Sequence, residues 1–297
     1  MVSSMNSKPK IIITGSGSLV AHSLMPQLLG SSFTLILLGR RRRYADEANI
    51  TYLPVDLDNK DERLTAVKLL ATEKNPLVFI HLAPIWLLPD FLHELLAAEV
   101  LLSRLVAFSS TSRLVKQRSN DLEERNLAIR LAESENKVIA LCADKIPWTI
   151  FRPTLIYDGR RDKNIAFIRS FIRRFGFFPV AGPATGLRQP VHVDDLAAAV
   201  MAVLDNRQTY NTIYNLGGGE TLTYRKMVSS IFQSLGKRER IIFLPPVLFL
   251  SLVRLVRLFR PHLGVSPAMV QRMNEDLSFD FQPAVRDFAY QPRRFKC

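Results

Sequence analysis

Apolar segments alternate with helical segments along the first half of this chain, and this alternation constrains the fold more than any other feature. Six segments are predicted as strands: Lys10–Thr14, Phe33–Leu38, Ile50–Pro54, Leu77–Leu82, Leu105–Ser109 and Trp148–Arg152. Helices are predicted between them, at Leu19–Leu29, Asp61–Glu73, Leu87–Glu99 and Leu122–Ala143. Strands that alternate with helices form a parallel sheet covered on both faces. We therefore expect an α/β fold with a doubly wound parallel sheet.

The pattern changes after Arg152. A basic, aromatic-rich helix is predicted at Ile165–Phe177 and a Gly/Pro loop at Pro179–Gly186, followed by a mixture of short strands and helices. The chain has no internal repeat, low-complexity tract or Ser/Gly linker, so its two parts should pack together. We expect residues 8–157 to form the first domain and residues 158–297 to form mostly a small mixed α/β lobe, with residues 189–216 returning to the sheet.

A glycine-containing loop connects the first predicted strand to the first helix. It consists of Gly15, Ser16, Gly17 and Ser18, and it leads into Leu19 and Val20. Small residues at such a bend let the backbone approach a pyrophosphate, and the helix start offers free N–H groups with a partial positive charge. The loop therefore favours a dinucleotide site, and the alternative is a tight strand-to-helix turn without a ligand.

The residues after the next strands extend this predicted site. The second strand is followed by Arg40 and Arg41, where NAD-binding proteins commonly carry an acidic residue for the ribose diol. Arginine there favours the 2′-phosphate of NADP(H) over NAD(H), unless the run Arg40–Arg43 is only a solvated basic stretch. The adenine and the path of the cofactor would be lined by residues that follow the third and fourth strands: Asp56, Leu57, Leu82, Ala83 and Pro84.

Taken in order along the chain, these segments resemble the extended or atypical short-chain dehydrogenase/reductases, the superfamily of NAD-dependent epimerases and dehydratases that act on nucleotide sugars. The resemblance covers almost the whole chain. It rests on the loop at 14–21 and on the segments at 80–83, 108–112, 151–157, 190–195 and 214–219. It implies a Rossmann domain that binds NAD(P), with a substrate lobe in the second half.

The resemblance also implies roles for residues near the nicotinamide. Ser109 and Ser110 would lie beside the nicotinamide ribose, and Thr111 takes the position of the catalytic Ser/Thr. Pro153 and Thr154 would flank the nicotinamide ring. His192 is a candidate substrate residue, although the segment from Val191 to Asp195 is more simply explained as a sheet–helix junction with an aspartate helix cap.

The sequence departs from the family pattern at two places. Ser18 and Ala21 stand where the second and third glycines of the loop are expected. The tyrosine–lysine pair that relays protons is missing, because none of the seven tyrosines is followed by lysine four residues on. Alignment on Glu135 places Leu127 and Leu131 at the tyrosine and lysine positions. Tyr157, or a carboxylate or phosphate of the substrate, is a possible substitute.

Two basic segments follow in the second half. Six arginines around the expected substrate entrance suit a diphosphate: Arg160, Arg161, Arg169, Arg173, Arg174 and Arg188. The alternative for Arg169, Arg173 and Arg174 is that they form only the polar face of a helix. Residues 246–260 carry Arg254, Arg257 and Arg260 among apolar residues. This segment would lie on an anionic membrane or contact a protein partner, or else act as a lid or dimer helix that buries its apolar stripe, which we favour.

These observations leave two functional hypotheses. One is an NAD(P)-dependent epimerase, dehydratase or reductase that acts on a nucleotide sugar through Thr111. The other is a non-catalytic NADPH-binding scaffold or redox sensor, a state also seen in the NADPH-binding accessory subunit of respiratory complex I, which the chain resembles. The net charge of +13 suits an anionic partner, but no nucleic-acid or metal-binding motif is present. Two cysteines and a short polar N-terminus indicate a reduced, cytoplasmic protein, peripheral to membranes at most, with homodimerisation left open.

Overall fold

The structure is a computed structural model that describes residues 9–31, 33–42, 44, 49–143, 145–259 and 267–297. Its first half contains, in chain order, β1 (Lys10–Thr14), α1 (Leu19–Leu29), β2 (Thr34–Gly39), β3 (Ile50–Pro54), α2 (Lys60–Leu70), β4 (Leu77–His81), α3 (Leu88–Ala97), β5 (Leu102–Phe108), α4 (Ser112–Val115), α5 (Leu122–Cys142) and β6 (Trp148–Pro153).

The second half contains shorter elements. They are β7 (Ile156–Tyr157), α6 (Ile165–Phe175), β8 (Phe178–Ala181), β9 (Leu187–Arg188), β10 (Val191–His192), α7 (Val193–Val203), β11 (Thr212–Leu216), β12 (Leu222–Thr223), α8 (Tyr224–Ser234), β13 (Ile241–Leu244), α9 (Pro246–Phe259), α10 (Pro267–Arg272) and α11 (Gln282–Phe288). Within the described ranges, no helix is long and apolar enough to span a membrane.

The central sheet confirms the predicted α/β fold. Seven strands lie in the order β11-β6-β5-β4-β1-β2-β3, and every neighbouring pair is parallel. Strands that are buried on both faces read as continuous apolar runs, as β1 and β2 do. The strand order reverses between β1 and β4, which opens a crevice at their carboxyl ends where α/β proteins commonly bind ligands.

Helices cover both faces of the sheet. Residues of α1, α7 and α11 pack with one face in a single core, and residues of α2, α3 and α5 pack with the other. A third core lies in the small lobe, where α6, α8 and α9 surround the parallel pair β8–β13. The sheet and its helices thus position the crevice, and the lobe is built beside it.

The second half differs from the sequence prediction in its local elements. The segment at Pro179–Gly186, predicted as a loop, begins inside β8 because Phe178–Ala181 pairs with β13. The preceding helix ends at Phe175, two residues earlier than predicted, since Gly176 adopts a left-handed conformation with φ +76° and closes the helix. Residues 212–216 form β11, which extends the main sheet beside β6.

Candidate dinucleotide-binding site

A cleft of about 760 Å³ lies at the carboxyl ends of the strands around the point where their order reverses. The loop after β1, the basic residues after β2 and the segment after β4 form its walls. Its lining contains most residues that the sequence predicts for the adenosine and pyrophosphate part of a dinucleotide: Gly15, Ser16, Gly17, Ser18, Arg40, Arg41, Asp56, Leu57, Leu82, Ala83 and Pro84.

The loop after β1 is held by close backbone packing. Gly15 has φ +71°, and a Cβ atom there would lie 2.4 Å from the backbone nitrogen of Ala83, so only glycine fits. Ser18 is the N-cap of α1 and accepts a hydrogen bond of 3.1 Å from the Ala21 N–H. Ala21 is buried in the core against the sheet. The two residues that replace glycines therefore support the start of the helix.

His81 connects the loops on the two sides of the cleft. It is fully buried, with its Nδ1 2.7 Å from Thr14 Oγ1 at the end of β1 and its Nε2 3.2 Å from the carbonyl oxygen of Pro84. Since a carbonyl only accepts, Nε2 carries the proton and Nδ1 accepts from the threonine hydroxyl. Burial lowers the pKa of His81 to about 4, so the ring is neutral at pH 7. Sequence analysis did not single out this residue, and only the apolar strand around it marked its burial.

The rim of the cleft is basic where the residues after β2 line it. Arg40 and Arg41 are exposed on this rim, whereas Arg43 lies outside the described residues. Asp56 is half-buried and accepts a hydrogen bond of 3.2 Å from the Asp58 N–H through one carboxylate oxygen. The loop that follows is anchored by Arg63, which donates to the Leu57 carbonyl oxygen at 2.9 Å. This wall of the cleft is therefore held by hydrogen bonds within the chain.

A second cavity, of about 400 Å³, adjoins this cleft on the side of β5 and β6. Leu82, Ala83, Pro84, Ser18 and Trp86 line both. The second cavity is also lined by residues of α1, β5, α5 and the strands beyond: Leu19, Val20, Ile85, Phe108, Ser109, Ser110, Ser112, Leu127, Leu131, Pro153 and Ile156. Its walls are mostly apolar, and the polar side-chain groups among the described lining residues are serine hydroxyls and the indole N–H of Trp86.

A buried ion cluster lies below the second cavity. Glu135 of α5 is fully buried and accepts hydrogen bonds from Arg152, at 2.5 and 3.0 Å, and from Arg113. Ser109 Oγ donates to the same carboxylate at 2.5 Å. A carboxylate that accepts hydrogen bonds from two guanidinium groups is held in one position. The cluster thus fixes Ser109, which lines the cavity.

No protein-family model matches the sequence. The structure resembles UDP-glucuronic acid 4-epimerase of Bacillus cereus, with a TM-score of 0.69 and 18% identity over 96% of this chain and 95% of that one. It resembles dTDP-glucose 4,6-dehydratase of Bacillus anthracis equally well, with a TM-score of 0.69 and 16% identity over 97% and 92% of the two chains. The chain therefore has a Rossmann α/β fold, which it shares with these two proteins.

A curated relative matches part of the chain by sequence. It is the mitochondrial NADH dehydrogenase [ubiquinone] 1 alpha subcomplex subunit 9 of Arabidopsis thaliana, 32% identical over 98 residues. The matched segment spans 33% of this chain and 24% of that protein. The match therefore bears on one segment of the fold, and the full-length likeness rests on the solved structures.

The two predicted catalytic hydroxyls lie outside the lining of both cavities. Thr111 is buried and donates to the Pro153 carbonyl oxygen at 3.1 Å. Tyr157 is buried between the rings of His192 and Phe295, and burial raises its pKa to about 12. Thr154, predicted beside the nicotinamide, donates to the Gln189 carbonyl oxygen and also lies outside the lining. The structure brings together the predicted cofactor residues and leaves these three side chains in the surrounding framework.

The three predicted substrate residues are dispersed. Arg188 is buried, donates to three backbone carbonyl oxygens and lies over the Tyr224 ring, 5.4 Å from its centroid. Arg161 is exposed and pairs with Asp158 at 3.0 Å. His192 is the N-cap of α7, where its Nδ1 accepts from the Asp194 N–H at 3.2 Å. In this arrangement, Arg188 and His192 use their polar groups within the fold.

Proposed function

We propose that the protein binds NADP(H) in the cleft and retains it as a scaffold or redox sensor, without a proton relay. The observation that carries this proposal is the position of Leu127 and Leu131. They occupy the sites where the family resemblance expects tyrosine and lysine, and both side chains line the second cavity. Leucine can neither donate nor accept a proton, so these positions can only exclude water from the cavity.

The residues of the cleft fit a dinucleotide from one end to the other. The N–H groups of Leu19 and Val20 at the start of α1 have no preceding helical carbonyl partners and would bind the pyrophosphate. The Ser18 N–H already donates to the Gly15 carbonyl oxygen at 2.9 Å. Arg40 and Arg41 would hold the 2′-phosphate, and Asp56 and Leu57 would contact the adenine. The remaining contacts fall to the segment Leu82–Pro84 along the path and to Ser109, Ser110 and Pro153, which line the second cavity, around the nicotinamide ribose and ring. Thr154 would first have to leave its hydrogen bond to the Gln189 carbonyl oxygen.

The groups near the nicotinamide end are poor proton carriers. A bound nicotinamide would supply hydride transfer, but a sugar hydroxyl that is oxidised must also lose a proton. His81 uses both ring nitrogens in hydrogen bonds, and its pKa of about 4 keeps it neutral. The pKa of Tyr157 is about 12 and its hydroxyl accepts from the Lys296 N–H at 3.3 Å. This chemistry favours retention of the cofactor over turnover.

Turnover of a nucleotide sugar is the second candidate function. It is supported by the full-length likeness to a Bacillus cereus epimerase determined with UDP-glucuronic acid and NAD. For this function, Thr111 would form a hydrogen bond with the reacting hydroxyl, and Tyr157 or a substrate carboxylate would replace the proton relay. The substrate would be bound by Arg161, Arg188 and His192. Thr111 and Tyr157 would first have to leave their present hydrogen bonds.

Calorimetric titration with NADPH and NADH tests cofactor binding. Replacing Arg40 by alanine removes a cation from the rim of the cleft, so we expect NADPH affinity to fall by about tenfold or more while NADH affinity changes little. Lys68→Ala, on the exposed face of α2, removes the same charge away from the cleft and is the matched control. Equal losses for both nucleotides would contradict the 2′-phosphate assignment.

A hydride-exchange assay on the loaded protein separates the two functions. The protein is loaded with NADP+, the oxidised form that can accept a hydride, and mixed with UDP-glucuronic acid or UDP-glucose deuterated at the sugar carbons. We expect the cofactor to stay bound and no deuterium to pass from the sugar to the nicotinamide. Exchange that disappears in Thr111→Ala, with NADPH affinity unchanged, would establish the enzyme instead. Failure to bind either nucleotide would overturn both.

A further inference from the structure

An exposed apolar surface lies on the small lobe, away from the residues assigned to the cofactor. It consists of Ile242 and Phe243 of β13 and Val247, Leu248, Leu252 and Leu255 of α9, hereafter the β13–α9 surface. Val247 is 73% exposed and Leu248 61% exposed. Large apolar side chains scattered singly on a surface are ordinary, but six within fourteen residues mark an interaction site.

The opposite face of α9 is already occupied. Phe249 and Val253 are buried in the core of the lobe with residues of α6, α8 and β8. The helix therefore uses one apolar face for the fold and presents a second one outward. The side chains of Arg254 and Arg257, together with Arg260, lie outside the described part of the chain.

The charge around this surface has one sign. Between residues 225 and 260 the sequence contains eight Lys or Arg residues and a single acidic residue, Glu239. Glu239 accepts a hydrogen bond from Ser229, which ties its carboxylate to α8. Arg225 extends over the exposed Phe243 ring, 5.1 Å from its centroid, and Arg238 and Arg240 are exposed just before β13. Apolar side chains are thus bordered by cations.

We propose that the β13–α9 surface docks the protein on an anionic lipid membrane. Apolar side chains of this kind enter the boundary between headgroups and acyl chains, while nearby Lys and Arg are attracted to anionic lipid. Charge complementarity favours lipid over a second copy of the chain, because two copies would bring two basic borders together. The helix would lie in the plane of the membrane surface.

Vesicle flotation tests the proposal. The full chain is mixed with phosphatidylcholine vesicles with or without phosphatidylglycerol, and binding is expected only when phosphatidylglycerol is present. Raising the salt from about 0.1 M to about 1 M shortens the Debye length from about 10 Å to about 3 Å and should weaken binding strongly. In the double variant Leu248→Ser, Leu252→Ser we expect affinity to fall at least about tenfold.

A matched variant controls for the loss of exposed leucines. Leu69 and Leu101 are 51% and 53% exposed on the sheet domain, and Leu69→Ser with Leu101→Ser should leave vesicle binding unchanged. Unchanged NADPH affinity and circular dichroism show that both double variants fold. The proposal is overturned if the wild-type chain does not float with phosphatidylglycerol vesicles, or if the two double variants lose affinity equally. It is also overturned if the wild-type chain is a dimer in solution and, of the two double variants, only Leu248→Ser, Leu252→Ser is a monomer.

Discussion

A single buried imidazole, His81, joins the two loops that form the cleft. Its hydrogen bonds to Thr14 and to the Pro84 carbonyl oxygen span the ends of β1 and β4, on either side of the position where Gly15 packs against the backbone of Ala83. Protonation would add a donor where the ring must accept from Thr14, and it would place a charge in the core. His81 therefore links the geometry of the cleft to the pH dependence of the protein's stability.

We expect His81 to make the protein less stable in mild acid. Its pKa is lowered to about 4, so the unfolded chain binds a proton first, at its ordinary pKa of about 6.5. The contribution of the neutral ring to the free energy of unfolding is complete above about pH 6.5. It is lost as the pH falls toward 4, and the total loss is about 3 kcal/mol. Urea unfolding at several pH values measures this loss.

The matched variants are His81→Gln and His93→Gln. Glutamine does not titrate, so His81→Gln should flatten the pH dependence of the unfolding free energy between pH 6.5 and 4. His93 is exposed, and its replacement should leave that dependence as in the wild type. An unchanged slope in His81→Gln would show that another group is responsible.

Helix α5 places two leucines and one glutamate on one side, four residues apart. Leu127 and Leu131 line the cavity, and Glu135 lies below it within the ion cluster. The helix and its two leucines were predictable, because the apolar period and the alignment on Glu135 are local features of the sequence. The two arginines that hold Glu135 come from α4 and β6, and such long-range partners leave no local pattern.

Removing the carboxylate at Glu135 should destabilise the fold strongly. Glu135→Leu leaves Arg113 and Arg152 without their shared partner, and we expect the free energy of unfolding to fall by about 3–5 kcal/mol. Glu133→Leu, exposed on the same helix, should change it by less than about 0.5 kcal/mol. Chemical unfolding followed by circular dichroism compares the two. Equal effects would mean that the cluster adds nothing to stability.

In the whole molecule, the segment after residue 278 returns to the sheet domain. Ala284, Phe288 and Tyr290 belong to the same core as β1 and α1, and Tyr214 of β11 donates to Asp287 at 2.8 Å. The doubly wound sheet was predictable from alternation alone. This return was not predictable, because the segment is short and its aromatic residues are interspersed with charged and polar ones. The aromatic residues gain their partners only when the sheet has formed.

Truncation of Phe288 should test how firmly this segment belongs to the sheet domain. Its ring lies 5.2 Å from that of Tyr214 and 6.1 Å from that of Phe151. We expect Phe288→Ala to lower the unfolding free energy by about 3–5 kcal/mol. Phe175→Ala, on a ring that is 52% exposed, should cost less than about 1 kcal/mol. Thermal unfolding that begins no earlier in Phe288→Ala than in Phe175→Ala would argue against a shared core.

Trp86 places a fluorescent side chain in the lining of the cleft. The chain has two tryptophans, and Trp148 is buried in β6, whereas Trp86 lines both cavities with Arg130 4.5 Å from its ring centroid. A reduced nicotinamide absorbs where indole emits. Excitation energy would therefore pass from Trp86 to a dihydronicotinamide bound beside it, and quenched tryptophan emission with sensitised blue emission would report occupancy without any label. Trp86→Phe would leave only the distant Trp148 as a donor.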